Sequence, residues 1–514
     1  MLPPPRPRRS PLLIMIVLAL IPAIALGYTW RWANAKIPAA ATDSTAVAPT
    51  DGSTPTDGST PTDGSTPTDG STPTDGSTPT DGSTPTTAAS PIGALTTPLL
   101  SVRRAPQTIV QRTSESSLIT SLSQVAAFVG DSSCLVVSLD GRIVYGHNGD
   151  LPVVPASNQK LIVAAVALET LGPDHAFVTR LFGTVADGVV TGDLYFVGGG
   201  DPVLSTADYP STQLYPPTST TPLETLVQNL VASGITRIQG NVITDESRYD
   251  NERYVPTWAN DVRDIEAGPL SALMLNDAIR EVGSTTVRRV QDPAVGAGTA
   301  LIALLKTAGI SVGGSARAGT LVPETPELTS VTSAPLSAIV AEMLTTSDDN
   351  TAELLVKELG VAKQIGNTRQ AGLDVIAGTL VTWGIDTSLV TLVDGSGLDN
   401  GNVVTCNIIR QVLTRQPLAG PLGAGLPIEG ETGTLADDTA LGEAMIGRLR
   451  AKTGTLSTVK SLSGFVTTDG GQIEFSMILN AAGIGESYVG LWSALGTTFA
   501  QYPAGPTLDQ IAPP

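Results

Sequence analysis

The stretch Ser157-Asn158-Gln159-Lys160, followed by Leu161-Ile-Val-Ala-Ala-Val-Ala-Leu168, carries the reading of this chain. It has the form S-x-x-K at the head of an apolar run. On a helix, residues three apart share a face, so the Lys160 amine sits one turn from the Ser157 hydroxyl. A serine hydroxyl is a weak nucleophile at neutral pH and needs an adjacent base. A lysine in a partly dry, apolar site can serve as that base. A second segment, Lys452-Thr453-Gly454, adds a cation beside a hydroxyl, suited to holding a carboxylate. Together they point to lysine-assisted acyl transfer on a serine.

Composition supports this by exclusion. The only histidines are His147 and His175, and no G-x-S-x-G elbow accompanies them, which argues against a Ser-His-Asp triad. Two cysteines without C-x-x-C spacing argue against a structural zinc site, and no cofactor is expected. The glycine-rich Gly198-Gly199-Gly200-Asp201 does not fit G-x-G-x-x-G and reads as a tight turn. A net charge of −19 speaks against a nucleic-acid partner, because phosphate binding needs clustered Lys and Arg.

Residues 1–35 read as a targeting segment. Arg6, Arg8 and Arg9 precede an apolar run from Leu12 to Trp30, close to the ~20 residues that span a bilayer. An uncleaved anchor is favoured over a signal peptide cut near Ala35. Either way the remainder is expected outside the cytoplasm. Residues 36–98 are low in complexity: from Thr50 to Pro85 the unit Thr-Asp-Gly-Ser-Thr-Pro occurs six times. Such sequence has no apolar residues to build a core and reads as an extended, disordered spacer. Cys134 and Cys406 could pair in an oxidising exterior, or could be two separate buried thiols.

The folded part begins near Ser101 and reads as α+β. Cys134-Leu-Val-Val-Ser-Leu and Arg142-Ile-Val-Tyr flank Asp140-Gly141 as a hairpin. Helices are expected over Leu223 to Ala232, after residue 292, and over Ala334 to Leu359 with a break near Ser347. Near the C-terminus, strands around Asp469-Gly470-Gly471 precede a helix from Tyr488 to Tyr502. Strands at both ends with helices between them predict a sheet joining distant parts of the chain.

These motifs resemble those of the penicillin-recognising serine peptidases, which carry S-x-x-K, then S-x-N or Y-x-N, then K-T-G. The middle motif falls at Ser347-Asp348-Asp349-Asn350. Within that superfamily the chain is similar to the class C low-molecular-mass penicillin-binding proteins, the D-alanyl-D-alanine carboxypeptidase/endopeptidase family (peptidase family S13). Pro155-Ala-Ser-Asn158, Gly192 to Ser205, Asp394-Gly-Ser-Gly-Leu398 and Gly433-Thr-Leu435 support that subfamily. The likeness runs over about residues 115–505, in the right order.

The resemblance implies a transpeptidase-like (serine β-lactamase-like) domain. Ser157 and Ser347 are 190 positions apart, wider than in β-lactamases, so an inserted β-rich domain is expected at 190–325, between body segments 99–189 and 326–505, with a tail at 506–514. It also implies a serine-type D-Ala-D-Ala carboxypeptidase acting on peptidoglycan stem peptides and inhibited by β-lactams. Ser157 would be the nucleophile, Lys160 its base and Ser347 a proton relay. Lys452, Thr453, Gly454 and Thr455 would hold the substrate, with backbone N–H groups of Ser157 and Thr455 facing the oxyanion. One departure stands out. The family's Asn aligns with Asp349, and Asn350 comes one position late. Asn donates a hydrogen bond to an amide carbonyl; ionised Asp cannot, and it repels a substrate carboxylate. Either the loop shifts to turn Asn350 inward, or Asp349 serves in altered form. The rival reading is a catalytically weakened, penicillin-binding-like envelope scaffold. Asp394-Gly-Ser-Gly reads as a structural turn near the site, and Thr432-Gly433-Thr434 as a decoy for K-T-G because it lacks the lysine.

Overall fold

Alternating side chains place the central sheet between two helical layers. The computed structural model describes residues 105–511 except 261, 285 and 486; the expected anchor and spacer lie outside them. Helix α1 (Ala105–Ala126) leads into β1 (Cys134–Leu139) and β2 (Arg142–His147). The turn between these strands uses left-handed Asp140 and Gly141, as a tight Asp-Gly hairpin requires. In β1, Cys134 and Val136 face one apolar core while Leu135, Val137 and Leu139 face the other. Burial on both faces explains the unbroken apolar sequence of this strand.

Helix α2 (Gln159–Leu171) follows the nucleophile segment, and its residues 159–168 are all buried. The chain then leaves the body. Strands β3 (Val178–Phe182) and β4 (Leu194–Val197), helix α3 (Glu224–Ala232), β5 (Val242–Asp245), α4 (Pro293–Thr307), β6 (Ala316–Ala318) and β7 (Glu327–Thr332) build the insert. Its main sheet has the order β6-β5-β4-β3-β7, with α3 and α4 packed on it around Leu194, Phe196, Leu226 and Leu301. A second sheet of short strands includes the hairpin Val185–Ala186 and Val189–Val190, turned at left-handed Asp187 and Gly188. The insert therefore exceeds the expected 190–325 at both ends. Outgoing β3 and returning β7 pair antiparallel, Val178 opposite Thr332, so exit and re-entry form one edge of the insert's sheet.

Back in the body come α5 (Leu336–Thr346), α6 (Asp349–Ala362), α7 (Arg369–Thr382) and α8 (Cys406–Arg415). Ser347 breaks α5 from α6 with a left-handed φ of 65°, and Asp348 caps α6 by accepting from Asn350 N. Strands β8 (Leu449–Leu456), β9 (Val459–Thr468) and β10 (Gly471–Asn480) and helix α9 (Tyr488–Ala500) end the body. The central sheet is antiparallel in the order β8-β9-β10-β1-β2, so chain-distant strands β1 and β10 are neighbours. Helices α2 and α5–α8 cover one face; α1 and α9 cover the other. Cys134 and Cys406 form a disulfide with Cα atoms 6.0 Å apart, fastening β1 to the start of α8.

The insert grips the outer face of α6. Tyr249 OH donates to Glu358 (2.9 Å), and Lys357 Nζ lies 2.5 Å from Asp250. Leu354 packs with Tyr249, Leu270 and Met274. Positions 350, 354, 357 and 358 fall on one helical face. The opposite face, with Asp349, Ala352, Glu353 and Val356, belongs to the body.

Candidate active site

A one-turn 3₁₀ helix, Ala156–Asn158, delivers Ser157 to the head of α2. Ala156 takes a left-handed φ of 50°, a costly conformation for a residue with a Cβ. It persists because both flanks are tied down. Ser461 Oγ of β9 donates to Pro155 O (2.8 Å), and Asn158 Nδ2 donates to Lys452 O (3.1 Å). The nucleophile turn is thus stapled to the strand that carries the K-T-G segment.

Lys160 is fully buried and makes three contacts. Its Nζ lies 3.1 Å from Ser157 Oγ, 2.6 Å from Asp349 Oδ1 and 2.7 Å from Ser396 O. Asp349 and Ser396 O can take two N–H bonds of the amine, and the Ser157 hydroxyl faces its third position. Ser396 belongs to the Asp394-Gly-Ser-Gly turn. Glu353 Oε1 accepts from Gly395 N and Ser396 N (2.9 and 2.7 Å), and Asp394 accepts from Gly397 N, Asp399 N and Trp258 Nε1 (each 2.8 Å). Burial, and then the charge of Asp394, raise the Glu353 carboxyl above the usual range. The turn read as structural from sequence is so, and it also supplies a carbonyl to Lys160. No side-chain pattern marks that contribution, because the contacting atom is backbone.

Lys452 is also fully buried. Its Nζ donates to Ser347 Oγ and to Thr453 O, both at 2.8 Å. Burial, followed by the neighbouring charge of Lys160, pushes the Lys452 ammonium well below its usual range, with Asp349 opposing. Thr453 Oγ1 is 2.9 Å from Thr434 Oγ1. Ser157, Ser347, Asp349, Thr453, Gly454 and Thr455 all border one cleft of about 790 Å³ between body and insert. Eight of the nine residues expected at the site are therefore gathered around Ser157. The ninth, Asn350, is not: Gly268 N donates to its Oδ1 (2.9 Å), and its Nδ2 donates to Asp277 Oδ1 (3.3 Å). It is 2% exposed and fastens α6 to the insert. The loop shift that would turn Asn350 inward does not occur, and Asp349 takes the place beside Lys160.

Gly454 has a steric reason to be glycine. A Cβ there would lie 2.2 Å from Ser461 Oγ, 3.0 Å from Ser157 N and 3.2 Å from Ala156 Cβ. Ser461 cannot swing away without losing its bond to Pro155. Gly454→Ala should therefore displace β8 from the nucleophile turn. A shift near 1 Å in such a site costs about 10²-fold, so labelling by fluorescent penicillin should slow by that order. Labelling at the wild-type rate would show that the close approach has no role.

The model of the D-Ala-D-Ala carboxypeptidase 3 (S13) family matches residues 117–286 and 278–489. A D-alanyl-D-alanine carboxypeptidase of an Actinomadura species is 29% identical over 449 residues, covering 72% of this chain and 80% of that protein. Carboxypeptidase DacB of Mycolicibacterium smegmatis is 33% identical over 360 residues, covering 67% and 75%. Among solved structures, penicillin-binding protein 4 of Haemophilus influenzae superposes with a TM-score of 0.63 at 20% identity, covering 74% of this chain and 99% of that one.

Proposed function

This chain belongs to the D-Ala-D-Ala carboxypeptidase 3 (S13) family, and we propose that it removes the terminal D-alanine of peptidoglycan stem peptides through an acyl-enzyme on Ser157. It is a serine-type carboxypeptidase, a class C low-molecular-mass penicillin-binding protein. The scaffold alternative is not favoured, because the family and the relatives are carboxypeptidases. The observation that carries the residue assignment is the bonded chain Ser157 Oγ–Lys160 Nζ beside Ser347 Oγ–Lys452 Nζ at the edge of one cleft.

In this reading Ser157 Oγ attacks the carbonyl between the two D-alanines, and Lys160 takes its proton. The oxyanion rests on the N–H groups of Ser157 and Thr455. Collapse expels D-alanine, whose amine receives a proton through Ser347. The Ser347 hydroxyl accepts from Lys452, which leaves its own proton free to be given. Lys452 and Thr453 bind the terminal carboxylate, and water then cleaves the acyl-enzyme. Asp349 faces the acyl side of the cleft. β-Lactams enter as carboxylate-bearing mimics and stay as adducts. Cross-linked dimers presenting a D-alanyl carbonyl would be cut by the same steps, giving endopeptidase action. The body would work outside the cytoplasm, held to the membrane by the segment before residue 36 or released near Ala35. That segment lies outside the described residues, among which no helix is long and apolar enough to cross a membrane.

The assay is release of D-alanine from a D-Ala-D-Ala-terminated peptide, and of monomers from a cross-linked dimer. Its pH dependence carries a sign. Lys452 attracts the carboxylate only while charged, and its pKa is lowered. KM should therefore be lowest where Lys452 is protonated and should rise as pH climbs through that lowered value. A KM that falls with rising pH would contradict the carboxylate role of Lys452. No release at any pH would overturn the proposed activity.

A further inference from the structure

The turn dismissed from sequence as a decoy carries a third hydroxyl to the K-T-G strand. We propose that Thr434 is a positioning residue that makes Thr453 selective for a carboxylate; this rests on the assignment of Lys452 and Thr453 as the carboxylate site. Thr434 sits in the turn Gly433–Leu435. On one side this turn docks on the end of α5: Gly433 has a φ of +57°, and a Cβ there would lie 2.2 Å from Thr345 O. On the other, the segment before it runs along the outer edge of β8, where Ala451 N donates to Pro427 O (3.1 Å) and Glu429 N donates to Leu449 O (3.0 Å). Thr434 is thus fixed between the chain leading to Ser347 and the strand carrying Thr453. Its hydroxyl borders the cleft, 2.9 Å from Thr453 Oγ1.

A hydroxyl has one proton to give and can accept others. Thr453 Oγ1 here donates to Thr434 Oγ1, and in that orientation it faces an incoming carboxylate with lone pairs and repels it, but each hydroxyl can rotate so that donor and acceptor exchange. When Thr434 is the donor, the Thr453 proton points at the carboxylate and the bond becomes charge-assisted. Lys452 cannot set this orientation, since its observed bonds run to Ser347 Oγ and to the Thr453 carbonyl. The two threonines therefore act in series.

The test is steady-state cleavage of a D-Ala-D-Ala-terminated peptide by the full chain, with circular dichroism as the check on folding. Thr434→Val should raise KM about 10-fold, the scale of one hydrogen bond to a charged group, with kcat changed less than about threefold. Thr434→Ser should behave like wild type. The double variant Thr434→Val/Thr453→Val should be no worse than Thr453→Val alone, because residues in series do not add. Thr434→Ala carries the same expectation should the valine variant misfold. An unchanged KM in Thr434→Val and Thr434→Ala, a fall confined to kcat, or additive losses in the double variant would overturn the proposal. If Thr453→Val itself leaves KM unchanged, the carboxylate assignment fails, a result separate from failure of Thr434.

Discussion

Ser157→Ala should abolish covalent capture of penicillin. Wild-type protein incubated with benzylpenicillin should gain one acyl adduct in its intact mass, and the variant none. The nucleophile is the one group here whose loss no neighbour can make good. Lys160, 3.1 Å away, is held by Asp349 and Ser396 O. Ser347 Oγ is bonded to Lys452 on the other flank of the site. Removing a catalytic serine costs roughly 10⁶ in kcat where such a group has been deleted, so release of D-alanine should fall to background. The substitution removes a single oxygen at the head of α2 and leaves the staples from Ser461 and Asn158 in place, so the variant should fold. Adduct formation in Ser157→Ala would move the nucleophile elsewhere. An unmodified wild type would remove penicillin binding altogether.

Asp349→Asn should raise the rate of acylation by penicillin. Asp349 borders the cleft and faces Lys160 at 2.6 Å, in the position where the family's amide donor would stand. A carboxylate there cannot donate to the carbonyl oxygen of a substrate amide, and it repels the substrate's own carboxylate. An asparagine in the same rotamer would keep an oxygen toward Lys160 and turn an N–H₂ into the cleft. Losing one well-placed donor costs ~10²–10³ in comparable sites, so the gain in restoring one could reach that order. The second-order acylation constant, from stopped-flow labelling, reads it directly. Asn350→Ala should act differently: it breaks two contacts with the insert and should lower stability more than it alters the acylation step. A slower Asp349→Asn would mean that the carboxylate has a role of its own beside Lys160.

Some of this was legible along the chain because it is local. The S-x-x-K spacing puts Lys160 one turn from Ser157, and helix geometry alone brings their polar atoms within reach. Asp140-Gly141 and Asp187-Gly188 announce tight turns because few other pairs tolerate two successive left-handed residues. The α5–α6 break shows as a Ser-Asp pair, of which Asp348 becomes the cap. The strand Val178–Phe182 lies within the segment 99–189 expected in the body yet belongs to the insert's sheet, because local pattern does not say which sheet a strand joins.

The sequence by itself determined the three motifs, their order and the α+β character, since each depends on neighbours within a turn or a hairpin. Tertiary structure alone decided which of Asp349 and Asn350 meets Lys160. Adjacent residues on a helix point about 100° apart, so the choice depends on how α6 is rotated. The body packs one side of that helix and the insert grips the other through Asn350, Leu354, Lys357 and Glu358. The pairing of Cys134 with Cys406, the approach of Ser396 O to Lys160 and the meeting of Thr434 with Thr453 have the same origin. Each joins atoms far apart in the chain, and their closeness follows from how the layers stack.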